Sequence, residues 1–353
     1  MRSFFTRLSL LFAPLLLPAL ASAHEVYVLT QTEINKGLTD HAFNWIQVIQ
    51  TDAHQFVFWT FIACLLVFIV FGISIVRPVE RFLDPYLDKA KRYAPLISRV
   101  TLGIAFLAAA WYQAAYGPEL PFRDLWGAYA PVLTGIFICA GLLVIAGIFV
   151  RLAAFAALAV FAAYTYHYGW YMLTYTNYFG EIMLLLLLGA HSGHLMARHT
   201  KKTRWRDAFA DFAHRARPFA FLFLRVSFGI SLLYASLYAK FIHNELALQV
   251  ASLPLAGHAA SLASVLGFEP HFLVVGAGIV EIVIALFFIL GIEIRFTALF
   301  LEFWLTLSLI YFGEVVWPHL ILIGIPIAFL AYGYDKYSIE GWLFKRRKRE
   351  PVF

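Results

Sequence analysis

Two carboxyls stand in stretches that water does not reach. Glu281 lies in the apolar segment Phe272–Leu290 and Glu302 in the next one, Phe296–Tyr311. Each is about nine residues from the outer end of its segment, so about 14 Å deep at helical rise. A carboxyl near the bilayer midplane costs roughly 2.5–3.5 kcal/mol on insertion scales. Two at one depth, on sequential helices, are expected to be neutralised by protonation, by each other or by a cation. The chemistry this permits is a proton relay, or a polar anchor for a quinone or another small substrate, and both residues are candidate catalytic groups. The structural alternative is a hydrogen bond between helices, with Tyr234 or Ser231 as the partner.

Other side chains widen the candidate set. Lys240 and Tyr238 fall at the end of the apolar segment Phe219–Tyr238. A lysine there either snorkels to the interface or, facing a cavity, binds an anion. Tyr234 and Glu314 complete the candidate substrate-binding residues. His191 and His194, in GAHSGHL, are three apart on one helix face, a spacing open to metal or haem ligation but short of ligands. His24 offers another metal option. If cleavage leaves it at a new N-terminus, its α-amine and imidazole can chelate copper, with His41 or His54 as a further ligand. Cys64 and Cys139 sit in apolar runs with no CxxC spacing and read as small core residues. The tyrosines between 164 and 178 read as an interfacial aromatic belt. There is no phosphate-cradling glycine loop, nucleophile elbow or HExxH, so hydrolase and NTPase chemistry have no residues to rest on.

The elements that must position these groups follow from composition. Of 353 residues 62% are hydrophobic and only 14% charged, with mean hydropathy +0.76. A soluble domain carries about 25% charged residues. The chain therefore reads as an all-α polytopic membrane protein whose partner is the lipid bilayer. The net charge of +6 belongs to basic loops of a membrane protein and implies no nucleic acid. Residues 1–23, MRSFFTRLSLLFAPLLLPALASA, have the pattern of a cleaved secretory signal. A mixed segment follows over 24–55, then a leading span at 56–76 and a basic linker at 77–95. Four apolar segments fill 96–197 and four more fill 219–341, separated by the basic loop 198–218 and closed by the basic tail 342–353. Nine spans with the mature N-terminus outside and the C-terminus inside put every strongly basic loop in the cytoplasm of an inner-membrane protein.

The two groups of four resemble one another. Arg99 and Gly103 pair with Arg225 and Gly229, Tyr112 with Tyr238, and Gly147 and Arg151 with Gly291 and Arg295. The tetrapeptide YFGE occurs at 178–181 and again at 311–314, where its glutamates, Glu181 and Glu314, read first as helix caps. An even number of helices per unit makes the repeats parallel, which disfavours an inverted-repeat transporter. Phe137 stands where the second unit has Glu281.

Each unit is similar to a DoxX-type four-helix bundle. The second carries Arg225, Gly229, Tyr238, Lys240, Glu281, Gly291, Arg295, Gly313, Glu314 and the closing GYDKYSIEG; the first is degenerate. What the resemblance implies is an accessory or quinone-reactive membrane subunit of a sulfur- or thiol-oxidising system, working with a redox partner. A transporter or channel for a small anion, proton or metal, and a scaffold without catalysis, are the alternatives.

Overall fold

The structure is a computed structural model that describes residues 36, 43–189, 212, 215–253, 261, 264, 267–312 and 317–344. Signal peptide, His24, His191, His194 and Glu314 lie outside the described residues. The described chain is helical. A short α1 (Trp45–Asp52) leads into the long α2 (Phe56–Ala90). A first set follows: α3 (Ala94–Tyr112), the short α4 (Phe122–Trp126), α5 (Ala130–Ala146), α6 (Val150–Tyr168) and α7 (Thr176–Leu188). A second set is α8 (Ala220–Leu237), α9 (Asn244–Ser252), α10 (Pro270–Leu290), α11 (Ile294–Phe312) and α12 (Pro318–Tyr332), and α13 (Ile339–Phe344) closes the described chain. Among the described residues the apolar segments fall on helices, and six helical runs are long and apolar enough to cross a membrane.

Local sequence explains the helix ends. Pro131, Pro270 and Pro318 stand in first turns, where a missing N–H costs nothing. Gly147 and Gly291 end α5 and α10 with φ of 74° and 70°, a left-handed conformation that costs glycine little. Two residues after each glycine a larger residue, Phe149 or Glu293, also takes a positive φ, 49° and 42°. We call the end of the bundle where α3, α6 and α8 finish the aromatic end, and the opposite one the basic end.

The two sets make corresponding contacts. Arg151 at the start of α6 donates to the Leu186 and Leu187 carbonyls at the end of α7. Arg295 at the start of α11 donates to the Leu330 carbonyl at the end of α12. A Cβ on Gly189 would collide with Arg151, and one on Gly333 with Arg295. Gly103 of α3 lies against Gly141 and Ile145 of α5, as Gly229 of α8 lies against Ala285 and Ile289 of α10. The sets also pack across one another. Gly180 of α7 meets Ser227 and Leu224 of α8, and Gly324 of α12 meets Thr101 of α3.

Several sequence expectations are corrected here. The doubled YFGE does not mark matching positions. Its first copy lies within α7, whereas Tyr311 and Phe312 finish α11; Gly180 of α7 and Gly324 of α12 are the glycines that make corresponding contacts, with Ser227 and Thr101. Glu181 is no cap. It sits in the second turn of α7, fully buried, with the Thr101 hydroxyl 3.4 Å from its carboxyl. Cys64 and Cys139 are exposed on helix surfaces, not in the core, which suits a small apolar residue facing lipid. The tyrosine stretch is only partly a belt: Tyr166 is exposed, but Tyr164, Tyr175 and Tyr178 are buried and packed on one another and on Tyr116.

Candidate functional site

The site is built where α8 stops being an α-helix. From Tyr238 to Ile242 the chain takes a π-helical turn, closed by His243 N–H donating to the Tyr238 carbonyl at 2.8 Å. Such insertions re-aim side chains and recur at functional sites. The turn presses on α10 at Gly278, where a Cβ would fall 2.5 Å from the Phe241 ring and 3.5 Å from Lys240 Cβ. A residue without a side chain is what allows this approach. Ser236 Oγ donates to the Gly278 carbonyl at 3.4 Å. Glu281 is three residues further along α10, hence on the same face.

The result is an ion pair. Lys240 Nζ is 2.9 Å from Glu281 Oε2, and the two side chains keep 13% and 22% of their accessible surface. In an apolar setting two charges that meet avoid the cost each would bear alone. Residual exposure leaves the pair reachable by a ligand. The rings of Tyr234 and Tyr238 stack at 6.1 Å, and the His243 ring lies 4.5 Å from that of Tyr238. From the first set, Tyr171 reaches Tyr238 at 5.4 Å. The Ser231 hydroxyl, expected to serve Glu281, donates to the Thr174 carbonyl instead. At the aromatic end α1 covers the turn: Trp45 meets Phe241 edge-on at 5.3 Å, Phe43 meets His271 at 4.8 Å, and Asn244 donates to the Phe43 carbonyl.

Of the three ways of neutralising Glu281, a cation is the one in place: Lys240 takes it. Glu302 is half-buried in α11, and its Oε1 accepts no hydrogen bond. Lys240 does not snorkel outward; the π turn directs it inward. The offsets that relate Arg99 to Arg225 and Gly147 to Gly291 carry Lys240 and Glu281 onto Ala114 and Phe137, both buried and apolar.

Sequence reasoning missed two charged clusters at the basic end. Arg225 is 2.8 Å from Asp335 and also donates to the Phe288 and Ile289 carbonyls, binding the end of α10 to the segment before α13. Glu80, Glu293 and Glu340 offer carboxylate oxygens within 4.8 Å of one another, all buried. Arg295 Nη1 is 3.7 Å from Glu80, and Glu340 accepts from Ile294 N–H at 3.3 Å. Burial, then the Glu80 and Glu293 charges, push the Glu340 carboxyl up to about 7. The one sequence signal was the clustering of Asp335 and Glu340 in GYDKYSIEG.

The second set is also where comparison with known proteins finds a likeness. Residues 220–312 match the DoxX family model. This DoxX segment runs from the start of α8 to the end of α11 and so contains the π turn, Lys240, Glu281 and Glu302. Neither a curated protein nor a solved structure matches the chain. With its apolar helices, the match makes this a multi-pass membrane protein with a DoxX domain.

Proposed function

We propose that the chain consists of two DoxX-type four-helix units behind a leading span. In this reading it crosses the inner membrane nine times and acts as the quinone-reactive or accessory subunit of a redox system that oxidises sulfur compounds or thiols with a partner subunit. The observation that carries the reading is the Lys240–Glu281 pair, with Lys240 on the π turn that Tyr238 begins, present in the second unit and replaced by Ala114 and Phe137 in the first. A quinone headgroup needs hydrogen-bond donors at its carbonyls and a flat apolar wall. The Lys240 ammonium and the two phenols are donors, and the tyrosine rings supply the wall. Glu281 holds Lys240 in place and is the nearest group to take or give a proton. Glu302, the other proposed carboxyl, stands apart from this pair. The positive-inside pattern supports the aromatic end facing outward.

The test is binding of a short-chain ubiquinone to the purified protein in nanodiscs. Lys240→Gln and Glu281→Gln should each weaken it about tenfold or more, as loss of one charged partner implies. Unchanged affinity in both variants would sink the proposal. Transport is the second reading. It is favoured by the uncompensated Glu302 oxygen, and proton flux into proteoliposomes, abolished by Glu302→Gln, would support it instead.

The remaining sequence candidates stand as further proposals with their own readouts. Copper at His24 predicts Cu(II) binding only by the signal-cleaved chain, and a His191–His194 metal or haem site predicts metal content lost in His191→Ala. Glu314 is proposed to line the mouth of the substrate site.

A further inference from the structure

Seven tyrosines of this protein form one connected series. Ring centroids run Tyr234–Tyr238 at 6.1 Å, Tyr238–Tyr171 at 5.4 Å, Tyr171–Tyr175 at 6.2 Å and Tyr175–Tyr178 at 6.3 Å. Tyr178–Tyr116 at 5.0 Å and Tyr116–Tyr164 at 5.8 Å continue it. The series begins on α8 and its π turn and ends deep in the first set. Packing alone explains aromatic neighbours. It does not explain where the hydroxyls go.

Those hydroxyls are not equivalent. Tyr171 and Tyr175, both on the 169–175 segment, each donate to the same oxygen, Glu119 Oε1, the former at 3.0 Å. Glu119 lies between α3 and α4 and keeps some exposure to solvent. The deeper tyrosines have no such base. Tyr116 donates weakly to the Ala157 carbonyl at 3.4 Å. Tyr178 makes no hydrogen bond through its hydroxyl, and the neighbour of the Tyr164 hydroxyl is the Trp126 indole, a donor only.

This matters for one-electron chemistry. A phenol that loses an electron becomes a strong acid, and it forms a stable neutral radical only if a base within hydrogen-bond reach takes the proton. Electron exchange between aromatic rings in near contact is fast because tunnelling falls steeply with separation. We propose that the series conducts an electron hole from Tyr234 and Tyr238, and that the Tyr171–Tyr175–Glu119 triad is where the hole settles. In the step, a one-electron oxidant of high potential is reduced by one electron. Tyr171 or Tyr175 is oxidised to the neutral phenoxyl radical as its O–H bond breaks. The proton passes to Glu119, whose carboxylate becomes the acid. Any one-electron reductant at the surface reverses the step. The inference stands on the tyrosine geometry and needs no quinone at Lys240.

The experiment uses the full chain in nanodiscs and ruthenium(III) tris-bipyridine, generated by a flash, as the oxidant. Electron paramagnetic resonance reads the tyrosyl signal. The expected result is a persistent signal that disappears in the Tyr171→Phe/Tyr175→Phe double variant and survives Tyr166→Phe, which removes an exposed phenol outside the series. In Glu119→Gln its yield should fall about tenfold, the factor a charge-assisted hydrogen bond carries, while Glu119→Asp retains it. Deuterated solvent should slow radical formation in the wild type and not in Glu119→Gln. A wild-type yield and lifetime in Glu119→Gln overturns the proposal, and so does a signal lost in Tyr166→Phe. Should Glu119→Gln fail to fold, the single variants Tyr171→Phe and Tyr175→Phe, which keep both rings, decide it: a full-sized signal in each and in the double variant overturns it too.

Discussion

At the scale of single residues, the pairing of Lys240 with Glu281 is the most consequential contact and makes a clear prediction. Lys240→Gln strands a carboxylate, and Glu281→Gln strands an ammonium, in a mostly apolar setting. Fully buried pairs lose 3–5 kcal/mol when one partner is removed, and the residual exposure of this pair places it lower, at about 1–3 kcal/mol. The double variant leaves two neutral amides, so it should be more stable than the sum of the singles implies. A double-mutant cycle on unfolding in detergent should give a coupling of about 1–2 kcal/mol, and a coupling of zero would show that the two groups do not depend on each other. Glu281 was legible in the sequence as a carboxyl in an apolar run. Its partner was not. Lys240 reaches it only through a π turn that exists because Gly278, on another helix, leaves room. No periodicity in residues 238–242 announces that.

At the scale of elements, close approach at glycine decides which helices touch. A Cβ on Gly324 would fall 2.5 Å from Thr101, so Gly324→Leu should push α12 off α3 and cost several kcal/mol, as overpacking does. Gly135 of α5 has no atom within 4 Å of its would-be Cβ, and Gly135→Leu should be nearly silent by the same thermal assay. Gly291→Ala faces both a positive φ and a 2.4 Å collision with Ser338, and should cost more than the about 1 kcal/mol that conformation alone carries. The element ends also set a pH response. Glu340 of α13 meets Glu80 of α2, and Glu293 and Arg295 at the α10–α11 turn. Its folded value of about 7 lies above the 4.5 of an unconstrained carboxyl. The folded state therefore holds the proton more tightly, and the associated stability is complete below pH 4.5 and lost as pH rises through 7. Glu340→Gln, neutral throughout, should flatten the unfolding profile across that interval by about 3 kcal/mol. An unchanged slope would show that Glu340 does not titrate there. The helices themselves were legible, since among the described residues the apolar segments fall on helices. The carboxyl cluster was not, because its members come from positions 80, 293 and 340 and meet only through the fold.

At the scale of the whole molecule, the sequence showed likeness between two halves but not how they interlock. The matching arginines and glycines were readable in the same order in both halves, at offsets that change only between helices, and the contacts of Arg151 and Arg295 agree with them. The YFGE match led the alignment astray because a four-residue identity in an aromatic-rich chain carries less positional information than a buried glycine contact. What the halves exchange is polar as well as apolar. Thr176 Oγ1 donates to the Ser227 carbonyl at 3.0 Å and Ser231 to the Thr174 carbonyl, while Arg295 of the second half faces Glu80 of the leading helix α2. In a bilayer, polar groups stranded by the loss of a partner find no water to replace it. Neither half is then a complete unit, although each has four helices. A chain cut within the basic segment 198–218 should give two fragments that are each degraded when expressed alone. Expressed together, they should co-purify and unfold in one transition with the midpoint of the intact protein. Introducing Gly180→Leu and Gly324→Leu, one in each fragment, should abolish co-purification, because both crossing contacts are lost at once. Fragments that accumulate separately and unfold cooperatively on their own would show instead that the crossing contacts are incidental and that each four-helix set folds by itself.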